Sequence, residues 1–309
     1  VRAWLTAMQA AEPDLVAGVT ISPGRGVCQR VVPTPHDLHD WLAELPRPKL
    51  DPQAEKARQA RDRAWIHWAE STGPGSPYAD NAPDQVLNPP GHAWELFSAM
   101  LNGSLHRLLT QRPQIQALFL HNCDTLGAVL DPACLAAHLE GDAVMTCEVI
   151  ARLAGDAGGS LALVEGRPRL IEGLAIPDEA MELGLRYYNS NSWWISVDRL
   201  LGLFGLGRAD LGDAGRVAEA VRHLAGRLPT YVTLKQVKRR WGRGQEDLYS
   251  VAQFEQLWGD LSTLDACPCS WLLVDRQRGQ QLKDASQLSS WHLDGSRDLV
   301  AGLAGLEGG

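Results

Sequence analysis

From about residue 89 onward the chain alternates short apolar runs with helix-period segments, and this alternation constrains the fold more than any other feature. IQALFL (115–120) is a buried-strand run, and PACLAAHLE (132–140) is a helix. AVMTCEVIAR (143–152) alternates like a strand, WWISVDRLLGLF (193–204) is apolar and leads into a helix, and VAEAVRHLAGRL (217–228) is helical. WELFSAMLNGSLHRLL (94–109) also has helical spacing. Strands alternating with helices predict an α/β fold with a mainly parallel sheet. SLALVEG-RPRLIEGLA (160–175) reads as a hairpin around Glu165-Gly166-Arg167, which makes the sheet mixed.

The first 88 residues carry few strand signals. Helices are expected at 2–11, at PHDLHDWLAEL (35–45) and over DPQAEKARQARDRAWIHWAE (51–70), which is rich in helix formers. VAGVTI (16–21) is a candidate strand running into an SPGRG turn, and residues 71–83 read as a loop. Two parts are therefore expected: a mainly helical 1–88 and an α/β core at 89–309.

The formal net charge of -8 argues against a nucleic-acid or anionic-membrane surface, both of which need clustered Lys and Arg. A small phosphorylated ligand needs only local cations and backbone N–H groups. The six cysteines are too sparse for a disulfide scaffold, and Cys267-Pro268-Cys269 lacks a second ligand pair at zinc spacing. Reduced thiols, no apolar stretch of spanning length and no signal peptide fit a cytoplasmic protein. The chain begins with Val, as a processed, trimmed or fragmentary sequence would.

The run LFLHNCDTLGAVLD (118–131) ends in Asn122 and Asp124, separated by one residue. In open α/β sheets the ligand crevice lies beyond the carboxyl ends of the strands. An aspartate there can hold a divalent metal, or Asp124 and Thr125 can simply cap a turn.

Four stretches in order sharpen the reading: PPGHAWELFSAM (89–100), LFLHNCDTLGAVLD (118–131), GDAGGSLALVEGRPRLIEGLAIP (155–177) and YYNSNSWWIS (187–196). This series resembles the UTP–glucose-1-phosphate uridylyltransferase family, the UDP-glucose pyrophosphorylases and their UDP-sugar relatives. The resemblance spans 89–200 well and 230–290 loosely. It implies a Rossmann-like nucleotidyltransferase fold (GT-A-like) with a sheet flanked by helices. It implies in-line attack of a sugar 1-phosphate on the α-phosphorus of UTP, pyrophosphate departure and assistance by Mg²⁺. Such transfers need positioned phosphates and neutralised charge rather than covalent chemistry from the protein.

On this resemblance Asp124 would hold the metal, with Asn122 on nucleotide or phosphate. Gly91 and His92 would lie against the uridine, or form an ordinary turn. Gly158 and Gly159 would admit the sugar close to the backbone, or mark the entry to the hairpin. Glu172 would accept sugar hydroxyls, or stand solvated at a strand end. Asn189 and Asn191 would read hydroxyls through their amides, or build a turn. Trp193 and Trp194 suit a core better than a ligand platform. Lys283 in QQLKDASQL (280–288) would bind phosphate, or start a helix in solvent. The basic cluster Lys235, Lys238, Arg239, Arg240 and Arg243 would meet pyrophosphate or a sugar phosphate, or form a solvated loop.

Several family features differ here. Gly-Asp after the Pro-Pro-Gly-His turn is Ala93-Trp94, and a Lys before the glycine pair is Ala157. The glycine-rich triphosphate loop has only ISPGRGVCQR (21–30) as a degenerate counterpart, so the chain is expected to be cut upstream or to belong to a divergent branch. It ends soon after Lys283, so the C-terminal β-helix domain of eukaryotic members is expected to be absent. Two function classes follow: an active uridylyltransferase, favoured by Asp124, and a catalytically weak UDP-sugar-binding paralogue, favoured by Ala157 and the missing loop. An unrelated α/β domain with chance motif matches is the third.

Overall fold

The computed structural model describes residues 27–44, 52–153, 156, 158–176, 181, 184–241, 245–282 and 286–303. The helix expected at 2–11, the strand at 16–21, the SPGRG turn, Ala157, Arg243 and Lys283 lie outside them. Strands are numbered along the chain: β1 (Cys28–Gln29), β2 (Leu87–Asn88), β3 (Ala117–Leu120), β4 (Met145–Ala151), β5 (Ser160–Val164), β6 (Arg167–Ile171), β7 (Tyr187–Ser196), β8 (Tyr231–Trp241), β9 (Gln245–Glu255) and β10 (Cys269–Leu273). The chain divides into two compact units, 1–105 with 230–255, and 106–229 with 256–309. No helix among the described residues is long and apolar enough to cross a membrane.

In the first unit the helices Pro35–Glu44 and Pro52–Thr72 form where helix formers and apolar spacing predict them. Residues 232–241 and 245–247 are not a loop. They lie in the antiparallel β8–β9 pair, whose Val237 and Val251 pack with Tyr78 in a small core. Trp68 meets Tyr78 and Tyr249 edge-on in the same cluster. Lys235 and Lys238 are exposed on this hairpin, and the side chains of 239–248 lie outside the described residues. The helix expected at 94–109 is two helices, Ala93–Leu101 and Ser104–Gln111. Gly103 breaks it at φ +72, a backbone state natural to glycine.

The second unit holds a mixed sheet in the order β10-β4-β7-β5-β6, with β3 also paired to β7. The expectation of mainly parallel pairing needs correction. Only β10 with β4 is parallel among these pairs, while β7 runs antiparallel to β3, β4 and β5. The directions explain the sequence reading. Because β3, β4 and β5 all oppose β7, they run the same way as one another, and β3 and β4 are joined through the helix Pro132–Glu140 as parallel-running strands should be. β7 is inserted among them and turns parallel direction into antiparallel pairing.

β4 is buried along nearly its whole length, so its central place overrides the alternation of its sequence. Met145, Cys147, Val149, Trp193 and Ile195 from β4 and β7 belong to the core. The helix Pro132–Glu140 is fixed by Asp131, whose Oδ1 accepts from the Ala133 and Cys134 amides at 2.8 and 3.4 Å. Its His138 is fully buried, with Nδ1 2.7 Å from Thr146 Oγ1 and Nε2 3.1 Å from Ser196 Oγ. The expected hairpin closes through Glu165 and Gly166, both at positive φ (52° and 78°), the pattern of a two-residue type I′ turn.

Candidate functional site

β3 carries the chain to Leu120 and delivers Asn122 and Asp124 into a tight turn. Backbone bonds close that turn, with Thr125 N on Asn122 O at 3.0 Å and Ala128 N on Thr125 O at 3.1 Å. The Asp124 carboxylate caps nothing. It is half-buried and has no hydrogen bond or ion pair among the described residues. Its main chain is fixed instead, because Leu282 N donates to Asp124 O at 2.8 Å and Thr125 bridges Gln281. Lys283 itself lies outside the described residues, one position after Leu282. Asn122 shares the turn with Asp124, half-buried.

A second group forms around Glu172, which follows β6. The residue is 7% exposed, and its carboxylate lies between two glycines. A Cβ on Gly159 would sit 2.9 Å from Glu172 Oε2, and one on Gly259 2.9 Å from Oε1. Burial, and then the charge of Asp260, push its carboxyl from the usual 4.5 up to about 7. Its Oε1 is buried without a hydrogen bond. Gly158 holds φ +147 with Tyr188 against it, and Gly159 O accepts from Asn189 N at 2.9 Å. Thus Gly158, Gly159, Glu172 and Asn189 come together in the fold.

Asn189 leads into an irregularity in β7. Along β4 the pairing steps from Glu148 to Val149, while along β7 it jumps from Ser192 to Asn189. Ser190 and Asn191 are thus extra residues opposite no partner of their own. Asn189 Oδ1 accepts from Asn191 N at 2.9 Å and from Cys147 Sγ at 3.3 Å, so that oxygen already supports the bulge. Asn191 adopts φ +61, a region asparagine tolerates, and its Oδ1 is buried without a hydrogen bond. The stretch is thus neither a free Asn-Ser-Asn-Ser turn nor a plain strand. Trp193 and Trp194 are core, as expected.

Gly91 and His92 lie in the first unit, at the entrance to the helix Ala93–Leu101. Gly91 has φ +91, and burial pushes the His92 ring down to about 4. The neutral imidazole offers one donor and one acceptor. Trp94, where the family pattern has an acidic residue, packs edge-on against Phe97 at 5.5 Å.

Sequence reading missed a buried ion pair. Glu148 on β4 is 0% exposed and accepts Arg278 Nη2 at 2.7 Å, Arg278 Nε at 2.9 Å and Trp194 Nε1 at 2.9 Å. A glutamate inside an apolar strand is itself the signal, since buried carboxylates demand partners. The partner, 130 residues on, leaves no local trace. The acidic neighbour of Glu172, Asp260, was missed for the same reason. All six cysteines are free thiols. No group of three or more His, Cys, Asp or Glu among the described residues is arranged to hold a metal. A cation on Asp124 would therefore complete its shell with phosphate oxygens and water, as Mg²⁺ commonly does.

Residues 69–208 match the family model for UTP–glucose-1-phosphate uridylyltransferase. UTP–glucose-1-phosphate uridylyltransferase 2 of Dictyostelium discoideum is 30% identical over 127 residues, 38% of this chain and 25% of that one. The Saccharomyces cerevisiae UTP–glucose-1-phosphate uridylyltransferase is 31% identical over 124 residues, 38% of this chain and 24% of its own. The matched part thus spans about a quarter of the length of these relatives. A UDP-glucose pyrophosphorylase variant from Leishmania major superimposes with a TM-score of 0.52 at 17% identity, over 93% of this chain and 52% of that one. Another variant of it, in complex with UDP-glucose, gives 0.52 at 17% over 90% and 50%. At that identity the likeness shows the fold alone, a mixed α/β sheet flanked by helices.

Proposed function

We propose that this chain, which over residues 69–208 belongs to the UTP–glucose-1-phosphate uridylyltransferase family, takes part in uridylyl transfer between UTP and a sugar 1-phosphate, with UDP-sugar and pyrophosphate as products. One observation carries the reading. Of the residues that the family pattern assigns to the sugar (Gly158, Gly159, Glu172, Asn189 and Asn191), Gly159 O bonds the Asn189 amide, Asn189 Oδ1 bonds the Asn191 amide and the Glu172 carboxylate lies against Gly159, and the group contains two buried carbonyl or carboxyl oxygens, on Glu172 and Asn191, with no hydrogen bond among the described residues. Hydroxyl donors of a sugar would satisfy them.

Each residue has work suited to its environment. Glu172, titrating at about 7, can donate to one hydroxyl and accept from another while it holds its proton. Gly159 lets backbone and carboxylate approach the same ligand. Asn189 shapes the bulge with its oxygen and keeps its amide N–H₂ for the ligand. Asp124 would hold Mg²⁺, which when bound supplies charge neutralisation on the phosphates. Asn122 shares the turn of Asp124, and Lys283 follows in sequence on Leu282, whose amide bonds to Asp124 O; we assign both to phosphate contacts. His92, neutral at pH 7, suits a base edge rather than a phosphate. Free thiols throughout suit a cytoplasmic setting.

The test uses UDP-glucose, pyrophosphate and Mg²⁺ with UTP formation as readout, beside an Asp124→Ala variant. Turnover lost in the variant supports transfer and the metal role. Binding of UDP-glucose without turnover points instead to a sugar-nucleotide-binding paralogue, which the alanine at 157 favours. The absence of both binding and turnover refutes the reading.

A further inference from the structure

Residues 276–282 touch both halves of the site in the second unit. Arg276 reaches the chain just before the glycine pair, with Nη1 on Asp156 Oδ2 at 2.9 Å and Nη2 on Asp156 Oδ1 at 2.7 Å, and Nη1 also on Ala151 O at 2.7 Å. Arg278 reaches the Asp124 loop, with Nη2 on Val129 O at 2.9 Å, while its guanidinium is anchored on buried Glu148. A Cβ on Gly127 would collide with the carbonyl oxygen of Gln277, so this loop lies directly on the segment. Gln281 and Leu282 then bond to Thr125 and Asp124. A Cβ on Gly279 would come within 3.3 Å of Ser190 Cβ, which places the same segment against the β7 bulge.

We propose that residues 276–282 form a positioning clasp, in which Arg276 through Asp156 and Arg278 through Glu148 and Val129 fix the Asp124 loop and the Gly158–Gly159 turn relative to each other. The proposal rests on the uridylyl-transfer reading, in which those two elements hold opposite ends of one ligand. Neither arginine touches the ligand in this scheme. Each acts through the loop that it holds. In-line transfer is sensitive to such spacing, since a displacement of about 1 Å can cost roughly a hundredfold in rate. The Asp156 carboxyl agrees: burial alone would raise it, but bonds from Arg276 and the Leu153 amide outweigh burial and keep it below its usual value.

Arg278→Met strands Glu148 in the core and risks the fold, so the partly exposed Arg276 tie is the one to cut. The full chain is compared with Arg276→Gln, Asp156→Asn and the double variant. Two amides report on the two elements: Leu282 N–H, bonded to Asp124 O, and Asn189 N–H, bonded to Gly159 O. The clasp predicts faster hydrogen exchange, by about tenfold, at both amides in each single variant, with nothing further in the double. It also predicts turnover lower by about ten- to a hundredfold, with the Kd for UDP-glucose within about threefold. Exchange accelerated at Asn189 alone, or turnover unchanged despite faster exchange, overturns the clasp. Wild-type chain that neither binds nor turns over UDP-glucose sinks the transfer reading instead, and the exchange result still decides whether the two loops are tied.

Discussion

Glu172→Gln isolates the energetic cost of the buried carboxyl. In an unfolded chain this group titrates near 4.5, and in the fold near 7. Between those values the folded chain binds more protons than the unfolded one, so stability falls as pH rises. Below about 4.5 both states are protonated and nothing is lost. Above about 7 both are ionised and the full penalty stands. At 1.36 kcal/mol per pH unit the span corresponds to a penalty of about 3 kcal/mol. Glutamine keeps the shape and cannot ionise, so it removes the penalty. For a folding unit of 150–250 residues about 1 kcal/mol moves Tm by roughly 2–4 °C. Calorimetry should therefore find the variant melting about 6–12 °C above wild type at pH 8, and level with it at pH 4. Parallel Tm curves across that range would show that Glu172 ionises normally and would refute both its burial cost and its role as a protonated hydroxyl partner near pH 7.

Three further perturbations probe what holds the site in place. Gly127→Ala drives a methyl into the Gln277 carbonyl, which is backbone and cannot swing aside. A loss of about 1–3 kcal/mol is expected by urea denaturation, and unchanged stability would mean that the loop does not lie on the 276–282 segment. Asp131→Ala removes the cap of the helix Pro132–Glu140 and should cost about 1 kcal/mol, read as a lower urea midpoint at constant m-value. Arg278→Met leaves Glu148 buried and unpaired and should cost about 3–5 kcal/mol. Adding Glu148→Gln should recover most of that loss in a double-mutant cycle, and additive losses would show that the two residues do not interact.

Strands β3 to β6 and most helices were legible because they follow local periodicity, whereas β8, β9 and β10 were not read as strands. IQALFL and PACLAAHLE show it, and the two-residue turn at Glu165 and Gly166 announces itself through a glycine between apolar runs. Strand pairing was less legible. β7 sits between strands that a helix connects, and no local pattern marks an inserted antiparallel neighbour. The helix at 94–109 broke because Asn102-Gly103 supplies a terminator that apolar spacing alone overlooks. The site residues were named through the ordered motif series, whereas the parts that hold them were not. Arg276, Arg278 and Asp260 act across 88 to 149 residues of chain, and contacts of that range leave no periodic trace. Glu148 was the exception, a carboxylate in an apolar strand that by itself requires a cation elsewhere.

The irregularity in β7 carries a consequence of parity. Side chains of a strand alternate between faces, so a single added residue exchanges the faces of everything beyond it. Ser190 and Asn191 are two, and an even insertion restores the count. Trp193 and Ile195 therefore stay on the side that they would occupy without the excursion. The strand thus accommodates two extra buried residues in its middle while the sheet on either side continues in step. A change of two residues at this point would keep the faces in step, and a one-residue deletion would act as a frameshift carried out in space.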